Sequence, residues 1–191
     1  MIEDVTSIEV SYDADAYNRK IEGEYGEEVI NESLEDLILS FDISISMDVH
    51  DFEDALMYIS DMMKMNLKFE RVGLSYWTSD YYNVRPKSMG PSKLYNAAKS
   101  NCPSDHRTTP LTSLINSLMD FRGANPNLII VFTDGELQGD MYSLSKRQLQ
   151  WYKKNRRKIL WVLKRNSSQV GRRWIRDFDP EAYSKRTVLM K

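Results

Sequence analysis

The chain has 191 residues, of which 41% are hydrophobic and 28% charged, with a formal net charge of −2. That length suits one domain, or one domain with an extension, able to bury a core without staples. A single cysteine, Cys102, excludes an intramolecular disulfide and fits a reducing compartment, and no apolar stretch approaches the length of a membrane span.

Residues 1–33 are acidic and poor in aliphatics, and the N-terminus lacks the apolar core of a signal peptide. They read as an N-terminal extension in which only "SIEVSY" alternates like an edge strand. "EDLILSFD" is a short continuous apolar run, the mark of a strand buried on both faces. "DFEDALMYISDMMKM" follows as a helix, with Phe52, Leu56, Ile59, Met62 and Met63 at helical spacing. "RVGLSYW" at 71–77 is the next strand. Residues 78–108, with three prolines and a glycine, read as loops around a short helix at "SKLYNAA".

"PLTSLINSLMDF" places Leu111, Leu114, Ile115 and Leu118 on one helical face, with Pro110 in the first turn. "NLIIVFT" at 127–133 is the clearest buried strand, "SLSKRQLQWYKKN" a helix, "KILWVL" a buried strand and "RTVLM" a last strand. Strands alternating with helices predict an α/β fold with a mostly parallel central sheet and helices on both faces. In such folds ligands bind at the carboxyl ends of the strands.

Charge is unevenly distributed. Up to Asp61 the only Lys or Arg residues are Arg19 and Lys20; after Asp140 the only acidic residues are Asp177, Asp179 and Glu181. The segment 146–173 mixes this basic charge with Trp151, Tyr152 and Trp161, a composition that suits a nucleic-acid surface. It is more simply met by a core strand bearing Trp161 and a helix with a solvated basic face.

Three segments converge on the carboxyl rim in the predicted topology: "DISIS" after the first buried strand, "TT" before a helix, and "TDG" after the strongest strand. Their side chains are Asp42, Ser44, Ser46, Thr109 and Asp134, oxygen donors without sulfur or imidazole. That set suits a hard divalent cation, Mg²⁺ rather than zinc, with Mn²⁺ or Ca²⁺ as alternatives. Few carboxylates and several hydroxyls leave such an ion electrophilic, seeking an Asp or Glu carboxylate from another protein.

These residues resemble the von Willebrand factor A (VWA) family. Its metal-ion-dependent adhesion site (MIDAS) reads Asp-x-Ser-x-Ser, then a distant Thr and a distant Asp. Here the matches are Asp42, Ser44 and Ser46, then Thr109 within "TTPLTSL", then Asp134 within "LIIVFTDGE", with Thr108 the alternative threonine. The resemblance covers residues 34–191 and implies a three-layer Rossmann-like VWA fold. "YWTSDYY", "VFTDG" and "ILWVL" are most similar to bacterial and phage-type intracellular members, often encoded beside MoxR-type AAA+ ATPases. It therefore implies a cytoplasmic, non-enzymatic adaptor binding a partner through Mg²⁺.

Two departures stand out. Ile45 occupies the position between the serines where the family usually has Gly. Accommodating it calls for packing against neighbours such as Met47 and Ala55, and replacement by Gly is then expected to tighten metal binding. Arg107 and Thr108 replace paired glycines, setting a cation beside the site.

Catalytic alternatives are thin. His50, in "DVHDFED", reads as a surface residue at a helix start; His106 near Cys102 is the one arrangement that could activate a thiol. No P-loop or dinucleotide glycine motif occurs.

Overall fold

The computed structural model describes residues 34–64, 69–104, 108–121, 124, 126–164 and 167–190. The acidic extension 1–33 with its "SIEVSY" strand, and His106 and Arg107, lie outside the described residues.

The strands are β1 (Leu34–Asp42), β2 (Phe69–Trp77), β3 (Tyr81–Lys87), β4 (Pro126–Thr133), β5 (Ile159–Leu163) and β6 (Thr187–Leu189). The helices are α1 (Val49–Lys64), α2 (Pro91–Asn101), α3 (Leu111–Met119), α4 (Lys146–Asn155), α5 (Gln169–Phe178) and α6 (Pro180–Lys185). They build one sheet of order β3-β2-β1-β4-β5-β6. Only the β2–β3 pair is antiparallel.

β1 alternates its apolar side chains between two cores, as the period-2 geometry of a strand requires. Leu37, Leu39 and Phe41 face a core completed by Ala55, Leu56 and Ile59 of α1 and Leu94 and Ala98 of α2. Ile38 faces the opposite core, with Leu111, Leu114, Ile115 and Leu118 of α3, Tyr152 of α4 and Ile175 of α5. Both faces are covered, which is why β1 and β4 read as continuous apolar runs. The three-layer α/β architecture expected from the sequence is what forms.

The structure adds elements that the sequence reading left out. β3 falls in the segment read as loops; its Pro86 and largely exposed side chains are tolerated because it is an edge strand. α5 and α6 occupy a stretch given no assignment. Ser168 caps α5 by accepting the Gly171 N–H, and Asp179 caps α6 ahead of Pro180.

The strand order reverses direction between β1 and β4. Chain leaving β1 goes to β2 on one side, while chain leaving β4 goes to β5 on the other. At such a switch point the two departing loops diverge and leave a crevice beyond the strand ends. Asp42 ends β1 and Thr133 ends β4, so the fold delivers both to that crevice.

Candidate metal centre

"FDISISM" is strand as far as Asp42 and a turn thereafter. The Ile43 N–H still donates to Trp77 O at 3.1 Å, but the Met47 N–H turns back to Ser44 O at 3.0 Å. The turn ends at Asp48, whose Oδ1 accepts the N–H groups of His50 (2.7 Å) and Asp51 (2.9 Å) while its own N–H donates to Asp51 Oδ2 at 3.1 Å. This reciprocal cap starts α1 immediately after the loop.

Asp42 is the anchor. It is buried, its Oδ1 accepts the Ser44 N–H at 2.9 Å, and its Oδ2 accepts the Thr133 hydroxyl at 2.7 Å. Phe41 and Phe132, one residue earlier on each strand, stack at 5.2 Å and lock the strand ends side by side. The Ser44 and Ser46 hydroxyl oxygens lie 3.0 Å apart, Ser44 buried and Ser46 exposed.

Asp134 follows on the neighbouring strand end. It is buried, and its Oδ1 accepts the Glu136 N–H at 2.8 Å. Thr133 links the two carboxylates' turns, donating to Asp42 while accepting the Gly135 N–H at 3.0 Å. Thr109 is buried and Thr108 exposed. The Thr109 carbonyl accepts the Gln138 N–H at 2.9 Å, and the Gln138 carbonyl accepts the Leu111 N–H at 2.8 Å. The segment carrying Thr109 is therefore tied by backbone to the loop that begins at Asp134.

Burial raises the Asp42 pKa to about 7. Desolvation dominates; the bonds from Thr133 and Ser44 oppose it, and the nearby Asp134 charge adds to it. Desolvation is thus what opposes ionisation of this carboxyl.

No protein-family model matches the chain, and no curated protein does. Solved structures do. Proximal thread matrix protein 1 from the mussel byssus matches at TM-score 0.58 and 13% identity, over 82% of this chain and 41% of that one. The same protein with a zinc occupied MIDAS motif matches at 0.58 and 12%, over 83% and 42%. The fold is VWA-like. BatB from Bacteroides thetaiotaomicron matches at 23% identity over 68% of this chain and 65% of that one, at a TM-score of 0.47 that carries no weight. The chain thus spans about two fifths of the mussel protein's structure.

Within this VWA-like domain, sequence reasoning missed two participants. Thr133 is the Thr of "FTDG", which the apolar pattern marks only as the end of a strand. Lys164, just beyond β5, donates from Nζ to Ser46 O and pairs with Asp51 Oδ2 at 3.3 Å, clasping the serine loop to α1. Nothing in the local sequence of "LKRN" points to a loop more than a hundred residues earlier.

One expectation is overturned. Ile45 does not pack on Met47 and Ala55; its side chain is 78% exposed, while Met47 and Ala55 are buried without it. The turn buries Ile43 and Met47 and points Ile45 outward, so the core gains nothing from it.

The other chemical leads resolve simply. His50 is exposed, as expected. Burial raises the Cys102 thiol pKa, the opposite of what a nucleophilic thiolate needs. Trp161 is fully buried in its core strand, as the plainer of the two readings has it, and Tyr152 is fully buried too, so neither can stack on a base. Among the described residues no group of three or more His, Cys, Asp or Glu gathers. No described helix is long and apolar enough to cross a membrane.

Proposed function

We propose that this domain is a non-enzymatic interaction module whose rim holds a divalent cation and takes a carboxylate from a partner protein. Asp42, Ser44 and Ser46 would hold the ion, with Thr109 and Asp134 acting directly or through water. The observation that carries the reading is the meeting of Asp42, the paired serine hydroxyls and the Asp134 turn at the β1/β4 switch point.

The donor set fits the ion. Mg²⁺ binds oxygens at about 2.1 Å in an octahedron, whose adjacent ligands are then roughly 3 Å apart. The serine hydroxyls are already separated by 3.0 Å. The cation would supply positive charge where burial disfavours an ionised Asp42, replacing the proton that group otherwise keeps. Asp42 orients the loop through the Ser44 N–H, and Thr133 fixes the carboxylate plane. Neutral hydroxyls leave the ion's charge largely uncancelled, favouring an anionic oxygen from outside. One solved neighbour is described with zinc in this motif; the all-oxygen set here favours Mg²⁺ or Mn²⁺. By resemblance, the partner would belong to a MoxR-type AAA+ ATPase assembly in the cytoplasm.

Calorimetric titration of Mg²⁺, Mn²⁺ and Zn²⁺ into chelator-treated protein tests the ion. Binding of Mg²⁺ or Mn²⁺ that Asp42→Ala abolishes is expected; equal binding by wild type and variant would overturn it. Partner capture that chelator reverses is the second expected result.

A second reading keeps some support. Lys153, Lys154 and Arg157 are exposed on and after α4, while Arg156 pairs with Glu181 at 3.3 Å. That face could contact phosphates electrostatically, with Trp151 the one aromatic of the segment's three that is only partly buried. Affinity for single-stranded RNA, measured by anisotropy, would then fall steeply with salt and drop when all four are changed to Ser. Equal binding by the quadruple variant would leave the patch a solvated face.

A further inference from the structure

Helix α5 meets the Asp134 turn without side chains between them. A Cβ placed on Gly171 would lie 2.2 Å from the Asp134 carbonyl oxygen and 3.1 Å from the Gly135 carbonyl carbon. A Cβ on Gly135, whose φ is +83°, would lie 2.7 Å from the Gly171 carbonyl oxygen. Two backbones touch here, and only glycine on both sides permits it.

The contact is one of three on the same stretch of helix. Ser168 Oγ accepts the Gly171 N–H at 3.1 Å and also bonds the Glu136 carboxylate. Trp174 Nε1 donates to Gly139 O at 2.8 Å. Positions 168, 171 and 174 recur every three residues and so share one face. That face follows the loop from Asp134 to Gly139, and the same loop holds Thr109 through Gln138.

We infer that α5 is the brace that sets the positions of Asp134 and Thr109, and that Gly171 is its positioning residue for cation binding. The inference rests on the cation site proposed above. It assigns two of the five donors to a support remote from the Asp-x-Ser-x-Ser loop. The helix alone does not explain Gly171, because glycine is among the poorest helix formers and Ala there would favour α5 intrinsically. A purely helical role and a bracing role therefore predict opposite signs for Gly171→Ala.

The experiment compares wild type with Gly171→Ala, Trp174→Phe and Val170→Ala, all in the full chain. Two quantities are read: Mg²⁺ and Mn²⁺ affinity by calorimetry, and hydrogen exchange of the Glu136 and Gln138 amides in chelator-treated protein. Gly171→Ala is expected to weaken cation affinity by roughly tenfold or more, since an octahedral site tolerates little displacement of its donors. The two amides should exchange faster. Trp174→Phe, which removes one hydrogen bond without adding bulk, should move both readouts the same way by less. Val170→Ala, at an exposed neighbour, should leave affinity within about twofold. Gly171→Ala affinity equal to wild type, or unchanged amides, would overturn the brace. If Gly171→Ala does not fold, Trp174→Phe decides: unchanged affinity and exchange overturn the proposal, and a shift in both supports it. If wild type binds no cation, the cation reading fails by itself, and the amide exchange still tells whether α5 braces the loop.

Discussion

The two loops that form the rim are held by different means. The loop after β1 is short and fastened by side chains: Asp42 to the Ser44 N–H and the Thr133 hydroxyl, Lys164 to Ser46 O, and Asp48 capping α1. The loop after β4 is longer and fastened mainly by backbone: Gln138 to the Thr109 segment, and Gly135 against Gly171. The first is specified by residue types within a few positions of one another. The second depends on two glycines thirty-six positions apart. A side-chain-held loop should fail at one residue, whereas a backbone-held loop should shift as a unit.

Breaking the first loop at its anchor has the largest expected effect. Asp42→Asn keeps the shape but removes the charge, and cation affinity should fall at least about a hundredfold by calorimetry, the upper range for disturbing a metal's immediate support. The same variant sharpens a pH effect. The folded-state pKa of Asp42 is raised to about 7 from an ordinary value of 3.8. The chelator-treated fold therefore binds the proton more tightly than the unfolded chain does. Its stability from this group is fully present below the ordinary carboxylate pKa and is lost as pH rises through about 7. Asp42→Asn should flatten that fall in urea midpoints between about pH 4 and 7. A variant that kept the wild-type slope would remove Asp42 as its source.

Removing the ion from wild type comes next. At about a hundred times Kd, a ligand that binds only the folded state adds about 2.7 kcal/mol. For a domain of this size that shifts the melting temperature by roughly 5–10 °C. Chelator should produce that drop in wild type and none in Asp42→Asn. An equal drop in both would place the stabilising ion elsewhere.

How much of this the sequence carried follows from the same contrast. Asp42, Ser44 and Ser46 lie within five residues, so their spacing alone draws them to one turn. β1, β4 and β5 read as buried strands because parallel sheets covered on both faces need unbroken apolar runs. β3 did not, because an edge strand can carry Pro86 and polar side chains. Lys164 and Gly171 were invisible because their partners are fixed by the crossover topology rather than by any local pattern. Ile45 misled in the other direction. A β-branched residue beside buried neighbours suggests packing, but the turn from Ser44 to Met47 reverses the chain and turns it to solvent.

The threonines test whether the second loop contributes a donor. Thr109 is buried beside the Gln138 bridge, while Thr108 is exposed and offers its carbonyl to the Thr78 hydroxyl at 3.2 Å. Thr109→Ala should weaken Mg²⁺ binding by about tenfold and Thr108→Ala by less than about twofold, the spread expected between a group near the ion and one turned away from it. The reverse ranking would make Thr108 the donor and mean that the Thr109 hydroxyl faces away from the ion.

The smallest effect is expected at Ile45. Were it packed, Ile45→Gly would cost the burial of a whole aliphatic side chain, about 1.5–3 kcal/mol. At 78% exposure most of that loss is absent. What remains is the added freedom of glycine in the unfolded chain, about 0.5–1 kcal/mol. The same freedom acts on the folded loop, which must be ordered when the serines close on an ion. Asp42, through the Ser44 N–H, and Lys164, through Ser46 O, still restrain the turn on either side of Ile45, so the residual ordering cost is small. Ile45→Gly should therefore lower the urea midpoint slightly and leave Mg²⁺ affinity unchanged or weaker by at most about threefold. Tighter binding by the glycine variant would show that the isoleucine strains the loop despite being exposed. In that case the departure from glycine would limit the site through its backbone rather than through its packing.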